Sequence, residues 1–401
     1  MKKVAILLSL IVSICAQKGP VLEFDGTDDY VDLGHIFGNT NFTTADFSIQ
    51  AWVKTTSNKG QGIFVKSNGD NTLDAGEKSL FIEPAGFPWF GNGDEGYIPA
   101  TGYTVNDGLW HHIVVTWDHA GTGTTGIGKI YVDGVDATYN NDYFVNTADN
   151  SEDKIYIGIP NYKASNAPNY FDGAIAEVAI WGYALSAAEV LALHSAYLSA
   201  NLTGDRYALT TAAYYWKLAE GSGTSATIVE NPDIANGTIY GATWNTSPVI
   251  EEVGDVTINE DENTTITLSA TDAEGEAITY GAVIDTNAVT FSISSSTLTL
   301  TPNANWNGLA NFRLFASDGS SWNSTSFKLT VAPVNDTPTA FEWVSGALDT
   351  INITQSNLAD TYTLQWSAST DVDGDTINYL IYAKIGLYPT EEVEEITDTA
   401  F

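Results

Sequence analysis

Between Phe47 and Lys54 (FSIQAWVK) apolar and polar positions alternate. Phe47, Ile49, Ala51 and Val53 fall on one face of a strand, and Ser48, Gln50, Trp52 and Lys54 on the other. Similar alternating or β-branched runs recur at His112–Asp118 (HIVVTWD), Lys154–Ile159 (KIYIGI) and Ser296–Thr301 (STLTLT), between clusters of Gly, Asn and Asp. These are strand signals. The pair Asp133-Gly134 after KIYV predicts a two-residue hairpin turn. Helical periodicity is confined to Ser186 to roughly Leu198 (SAAEVLALHSAYL). There Ser186 stands at the N-cap and Glu189 three residues on completes a capping box. Short strands at regular spacing with one helix predict an all-β chain built from sandwiches.

The first sixteen residues follow a different logic. Lys2 and Lys3 precede an apolar stretch from Val4 to Ile14, and small residues follow at Ser13 and Ala16. This pattern predicts a secretory signal peptide over 1–16, cut near Ala16 or Gln17, and a secreted, extracellular or cell-surface location. The chain's single cysteine, Cys15, lies in that segment. The mature chain is therefore expected to lack disulfides and thiolate chemistry. No later run reaches ~18 uninterrupted apolar residues, so no membrane insertion of the mature chain is expected. Charge narrows the partners further. Fifty acidic residues against fifteen basic give a net charge of −35. That balance excludes a basic footprint for nucleic acid and suits divalent cations.

Composition shifts near residue 248. Strands rich in Trp, Tyr and Phe give way to Glu, Asp, Thr and Ser, and Pro248 with Glu251-Glu252 marks a linker. A second linker is Ala332–Ala340 (APVNDTPTA), stiffened by its prolines. The expected units are 17–247, 248–337 and 338–401, the last too short for a complete sandwich. An internal echo joins the later two. Leu268–Tyr280 (LSATDAEGEAITY) and Trp366–Tyr379 (WSASTDVDGDTINY) share Ser-Ala, an acidic loop with Gly, and Ile-x-Tyr.

Four stretches of the first unit carry a family resemblance: VLEFDGTDDYVDL at 21–33, FSIQAWVK at 47–54, WHHIVVTWD at 110–118 and FDGAIAEVAIWGYALS at 171–186. Together they resemble a laminin G-like, concanavalin A-like jelly-roll domain. YWKLAEGSGT at 215–224 and IYGATW at 239–244 resemble its closing strands or a stub of a second copy. The second unit resembles a cadherin-like sandwich through NEDEN (259–263), ATDAEGEAITY (270–280), LTLTPNANWNG (298–308), ASDG (316–319) and VNDTP (334–338). LQWSASTDVDGDTINYLIYAK (364–384) resembles the first half of a fibronectin type III-like domain.

Candidate chemistry centres on carboxylates. Asp25, Asp28 and Asp29, with Thr27, crowd oxygens around Gly26, and calcium takes six to eight such oxygens. The alternative is a solvated turn whose Asp side chains cap backbone amides. The jelly-roll resemblance implies that the first strand lies beside the last, which places Asp172 near Asp25. The cadherin resemblance implies calcium ligation by Asp272, Glu274, Asp318, Asn335 and Asp336. Asp371, Asp373 and Asp375 alternate like the start of an EF-hand loop, but position twelve is Tyr382, so that reading fails. Trp52 either packs under a covering segment or offers a platform for a sugar ring. Trp110 and Trp117, seven apart, face opposite ways, and Trp181 packs against the helix. His111 and His112 face opposite sides of a strand start, and His119 and His194 are expected to face solvent.

Catalysis is not expected. Jelly-roll hydrolases carry Glu-x-Asp-x-x-Glu, and Glu23-Phe-Asp25-Gly-Thr-Asp28 lacks the last Glu. No nucleophile elbow, His-Glu-x-x-His helix or phosphate loop is present. The expected function is a secreted adhesin-like protein whose jelly roll binds a glycan or an extracellular surface protein, with calcium as stabiliser. The alternatives are a passive spacer array, or the accessory binding part of a longer exported carbohydrate-active enzyme.

Overall fold

The computed structural model describes residues 17–36, 45–69, 74, 76–92, 96–119, 126–139, 153–160, 169–203, 212–230, 234–342, 366–382 and 392–397. The expected signal peptide and most of the fibronectin-like segment lie outside these residues.

Two sheets of the first unit face each other, nine strands and eight among the described residues. In the first sheet Phe47–Lys54 is central, between Trp110–His119 and Asp172–Trp181. Its Phe47, Ile49, Ala51 and Val53 enter the core between the sheets, with Phe64, Phe90, Trp117 and Trp216. The opposite face of the same strand, expected to be polar, is buried as well. The reason is the helix Ala187–Thr203, whose Val190 joins Leu185, Trp181, Trp110 and Trp52 in a second apolar layer outside the sheet. Trp110 and Trp117 thus lie on opposite faces, and Trp181 packs in the layer under the helix. The helix begins as its sequence dictates: Ser186 N–H donates to Glu189 Oε2 at 2.8 Å and Glu189 N–H to Ser186 Oγ at 3.3 Å. The hairpin at Asp133-Gly134 has φ of 52° and 80°, the signature of a type I′ turn.

The closing segments complete the same sandwich. Tyr214–Trp216 pairs with Asp172–Trp181, Gly237–Tyr240 with Tyr30–Gly34, and Thr243–Asn245 with Val21–Asp25. The next strand, Val249–Ile250, already pairs with Ala270–Thr271 of the following sandwich. That sandwich packs a five-stranded sheet, to which Gln17–Lys18 contributes one strand, against smaller ones around Leu298, Leu300, Phe312, Leu314 and Phe327. The internal echo has a structural cause. Asp272 Oδ1 accepts the N–H groups of Glu274 and Glu276, and Asp371 Oδ1 accepts those of Asp373 and Asp375. Each acidic loop is one carboxylate folded back onto its own backbone, closed by Gly275 or Gly374 at positive φ.

Candidate functional site

The turn joining Val21–Asp25 to Tyr30–Gly34 gathers the first acidic group. One oxygen each from Asp25, Asp28 and Asp29 lies within 4.8 Å of the others. Asp25 Oδ1 accepts Thr27 N–H, and Asp29 Oδ2 accepts Asp25 N–H, both at 2.8 Å. Asp29 is buried, and burial raises its pKa above the ordinary carboxylate value. The Asp25 amide opposes this, and the charges of Asp25 and Asp28 add to it. Asp29 fits because residue 241 is glycine at φ +74°: a Cβ there would stand 2.0 Å from Asp29 Oδ1. Asp172 pairs directly with Asp25 across the ladder.

Next to this turn the outward face of the eight-stranded sheet carries tyrosines. Tyr30 and Tyr240 are cross-strand neighbours with rings stacked at 4.6 Å and 15°, and Tyr240 is 44% exposed. Tyr156 stands edge-on to Tyr30 at 6.2 Å, and Tyr170 lies at 6.5 Å. Buried Val65 and Ile159 support these rings from below. Beside them Lys154 Nζ donates to Asp32 Oδ2 at 2.8 Å. Burial, then the neighbouring Tyr240 and Asp32, raise the Tyr30 pKa, so its hydroxyl remains a donor at neutral pH. Exposed ring faces beside a fixed donor–acceptor pair suit a ligand with both C–H faces and hydroxyls. No sequence pattern singled out these tyrosines. Their one signal was the position of Tyr30 directly after the acidic turn.

Trp52 requires a correction. It is 2% exposed, lies beneath the helix, and stacks with His112 at 5.0 Å and His194 at 5.5 Å. Its ring faces are covered by protein, so it is no sugar platform. His194 is likewise not solvent-facing but half-buried in that stack. His112 is fully buried, with Nε2 against Gln50 Oε1 at 2.9 Å, while His111 on the other side bridges Asp133 and Asp107. The two histidines do face opposite ways, and neither meets a cluster of metal-ligand type among the described residues.

The five ligands expected in the second sandwich do not form one site. Asp272 and Asp318 converge with Glu276, within 4.8 Å, at the pole facing the jelly roll. Glu274 stands apart from that trio and accepts Thr246 Oγ1 at 2.9 Å. Asn335 and Asp336 follow the strand Ser321–Ala332 and lie at the opposite pole. Asn335 spends its amide on Asp336 O, and Asp336 N–H donates to Asp373 Oδ2 at 2.6 Å. The long strand pair Gly308–Ser317 with Ser321–Ala332 separates the two groups by about 30 Å, ten residues of extended chain. Loops adjacent in the motif list therefore serve opposite ends of the sandwich. At the far pole the sequence reading missed Glu260, which is 4% exposed. Its Oε1 accepts Val334 N–H at 2.6 Å and its Oε2 has no partner.

Comparison with known proteins agrees with this architecture. Residues 25–191 match the family model of the concanavalin A-like lectin/glucanases superfamily, and residues 245–331, expected to be cadherin-like, match that of the bacterial Ig domain. The Rattus norvegicus protein named "Sushi, von Willebrand factor type A, EGF and pentraxin domain-containing protein 1" is 29% identical over 180 residues, which is 43% of this chain. The chain spans 5% of the length of that relative and of its Mus musculus counterpart. Among solved structures, a provisionally assigned carbohydrate binding protein of Bacteroides ovatus aligns with a TM-score of 0.41 and 20% identity, over 57% of this chain and 60% of its own. The heptameric SAP-like pentraxin of Limulus polyphemus aligns with a TM-score of 0.35 and 15% identity, over 55% and 95%. Residues 25–191 thus form a domain of the concanavalin A-like lectin/glucanases superfamily, and the sandwich that follows, over residues 245–331, is a bacterial Ig domain.

Proposed function

We propose that this protein is a non-catalytic glycan-binding module that works outside the cell, with calcium holding the turn beside its binding face. The observation that carries this reading is the exposed Tyr240–Tyr30 stack, flanked by the Asp32–Lys154 pair, on a domain of a lectin-type superfamily. Stacked tyrosines take the apolar face of a sugar ring, and Asp32 and Lys154 take its hydroxyls. Two carboxylates of the nine-stranded sheet are held in structural contacts. Glu23 accepts Ser320 Oγ, and buried Glu177 accepts the Tyr215 hydroxyl. The full chain on a glycan array should bind a defined set of sugars. Tyr240→Ala should weaken that binding at least about tenfold, some 1.4 kcal/mol, with an unchanged circular dichroism spectrum. Undiminished binding by Tyr240→Ala would move the ligand elsewhere. A blank array would favour the spacer role.

Calcium fits the Asp25–Asp28–Asp29 turn because three hard carboxylates meet there without a basic residue among the described partners. Burial is the main cause of the raised Asp29 pKa, and a cation would relieve the repulsion from Asp25 and Asp28 that adds to it. At about 100 times its dissociation constant it adds about 2.7 kcal/mol. For a domain above 200 residues that corresponds to a Tm rise of roughly 5–10 °C over the EDTA-treated protein. Asp29→Asn should abolish the rise. Equal melting temperatures with calcium and with EDTA would refute calcium at this turn.

A further inference from the structure

The contacts between the jelly roll and the Ig domain converge on one turn, Asp318–Ser321. Lys54 Nζ donates to Gly319 O at 2.7 Å and to Ser320 Oγ at 3.1 Å. Ser320 Oγ donates onward to Glu23 Oε1 at 2.8 Å, and Trp110 Nε1 donates to Ser320 O at 3.0 Å. Gln17 and Lys18 run parallel to Ser321 and Trp322 as an added strand. Asn245 Nδ2 donates to Glu276 Oε2 at 2.5 Å from the other flank. Lys54 ends the central strand Phe47–Lys54 of one domain, and its ammonium ends on the other.

The surroundings are acidic. Asp272, Glu276 and Asp318 gather here, and Glu23 comes from the jelly-roll side. Burial lowers the Lys54 pKa, and the charges of Glu23, Asp318 and Glu276 oppose that fall. Such a group invites assignment as a metal site, but several of its oxygens already have donors, while Asp272 Oδ2 is buried without one. Asp318 Oδ1 accepts the N–H groups of Ser320 and Ser321, both at 2.6 Å, and Asp318 Oδ2 accepts Ser321 Oγ at 2.7 Å. Asp272 Oδ1 accepts two backbone amides, and Glu276 accepts Asn245. The positive charge the group needs arrives on Lys54.

We propose that Lys54 is the built-in cation of this junction, so that the jelly roll and the Ig domain stay locked together without a metal ion. A tethered ammonium cannot be chelated away, and its bonds to Gly319 O and Ser320 Oγ hold without any added ion. Removing it leaves Glu23, Glu276 and Asp318 facing one another uncompensated, which costs more than a neutral contact would. The Ig domain then acts as a rigid base that fixes the orientation of the binding face.

Nitroxide labels on Tyr183→Cys and Leu309→Cys, exposed positions of the two domains, in full-length Cys15→Ser protein, would read the interdomain distance by pulsed electron resonance. The parent should give one narrow distribution, the same with calcium and with EDTA. Lys54→Met in EDTA should lose the single narrow peak, and Lys54→Arg should keep it. Broadening of the parent on chelation would overturn the proposal, as would a Lys54→Met distribution as narrow as the parent's. If Lys54→Met fails to fold, the parent's response to EDTA still decides the matter.

Discussion

Acidification from pH 6.5 towards pH 3 will withdraw the stability that buried neutral His112 gives the jelly roll, and replacing His112 will reduce that loss. His112 is fully buried under the helix, and burial pushes its pKa down to about 3, with a smaller contribution from His194. An unfolded histidine titrates near 6.5. Between these values the unfolded chain binds the proton and the folded one does not, so stability falls as pH falls. The contribution is fully present above about pH 6.5 and lost progressively down to about pH 3. At roughly 1.4 kcal/mol per pH unit the total is on the order of 5 kcal/mol. His194, in the same stack, is also held down by burial and acts in the same direction. Asp133 works against both by favouring their charged forms. His111, held up by Asp133 and Asp107 despite burial, is protonated in both states below about pH 6.5 and adds no slope there. Glu77 opposes the loss. Burial pushes its pKa up to about 7, so its penalty fades as pH drops from 7 towards 4.5. The measurement is therefore a comparison of slopes: chemical unfolding of the parent and of His112→Asn at several values between pH 7 and pH 4. Parallel stability curves would show that His112 is not the proton acceptor.

Chelation will loosen the junction between the Ig domain and the segment after it, while leaving the first junction closed. At this second pole backbone amides reach Glu260 Oε1, Asp373 Oδ2 and Asp371 Oδ1, but two further oxygens are left over. Glu260 Oε2 and Asp336 Oδ2 are buried atoms without a hydrogen-bond partner. Desolvation, then the charges of Asp373, Asp261, Glu260 and Asp371, raise the Asp336 pKa. No lysine or arginine meets these groups among the described residues. Glu260 is the buried residue of the two, and an unsatisfied buried carboxylate oxygen is destabilising; a bridging calcium would relieve it. Solution scattering of the full chain should show a longer and narrower particle with calcium than with EDTA. Asp336→Ala should behave like the EDTA state under both conditions. Identical scattering with calcium and with EDTA would leave a solvated acidic linker. Together with the Lys54 experiment this separates a junction closed by a lysine from one closed by a metal ion.

How far the candidate site could be read from the chain depends on how local each relation is. Asp25, Asp28 and Asp29 are neighbours in sequence, so their crowding was visible at once. The adjacency of Asp172 to Asp25 followed from the jelly-roll resemblance rather than from spacing, and the ladder places them opposite each other. Asp272, Glu274, Asp318, Asn335 and Asp336 carry the right chemistry, but a list of motifs contains no information about which pole of a sandwich each loop serves. Trp52 was ambiguous for a related reason. Alternation assigns it to the face opposite Val53, and only its cover decides whether that face is open.

By itself the sequence determined the strand periodicity, the Asp133-Gly134 hairpin, the Ser186–Glu189 helix start and the shared architecture of the two acidic loops. Each of these is set by hydrogen bonds and dihedral preferences within a few residues, which the local residue order specifies. The tertiary structure decided the rest. It laid the Ala187–Thr203 helix over Trp52 and His112, stacked Tyr240 on Tyr30, and brought Lys54 to Gly319, 265 positions away. Those relations depend on which sheet edges and loops meet when two apolar layers are buried together. Alternation fixes which side of a strand a residue occupies, and only the packing of the whole chain fixes what lies opposite it.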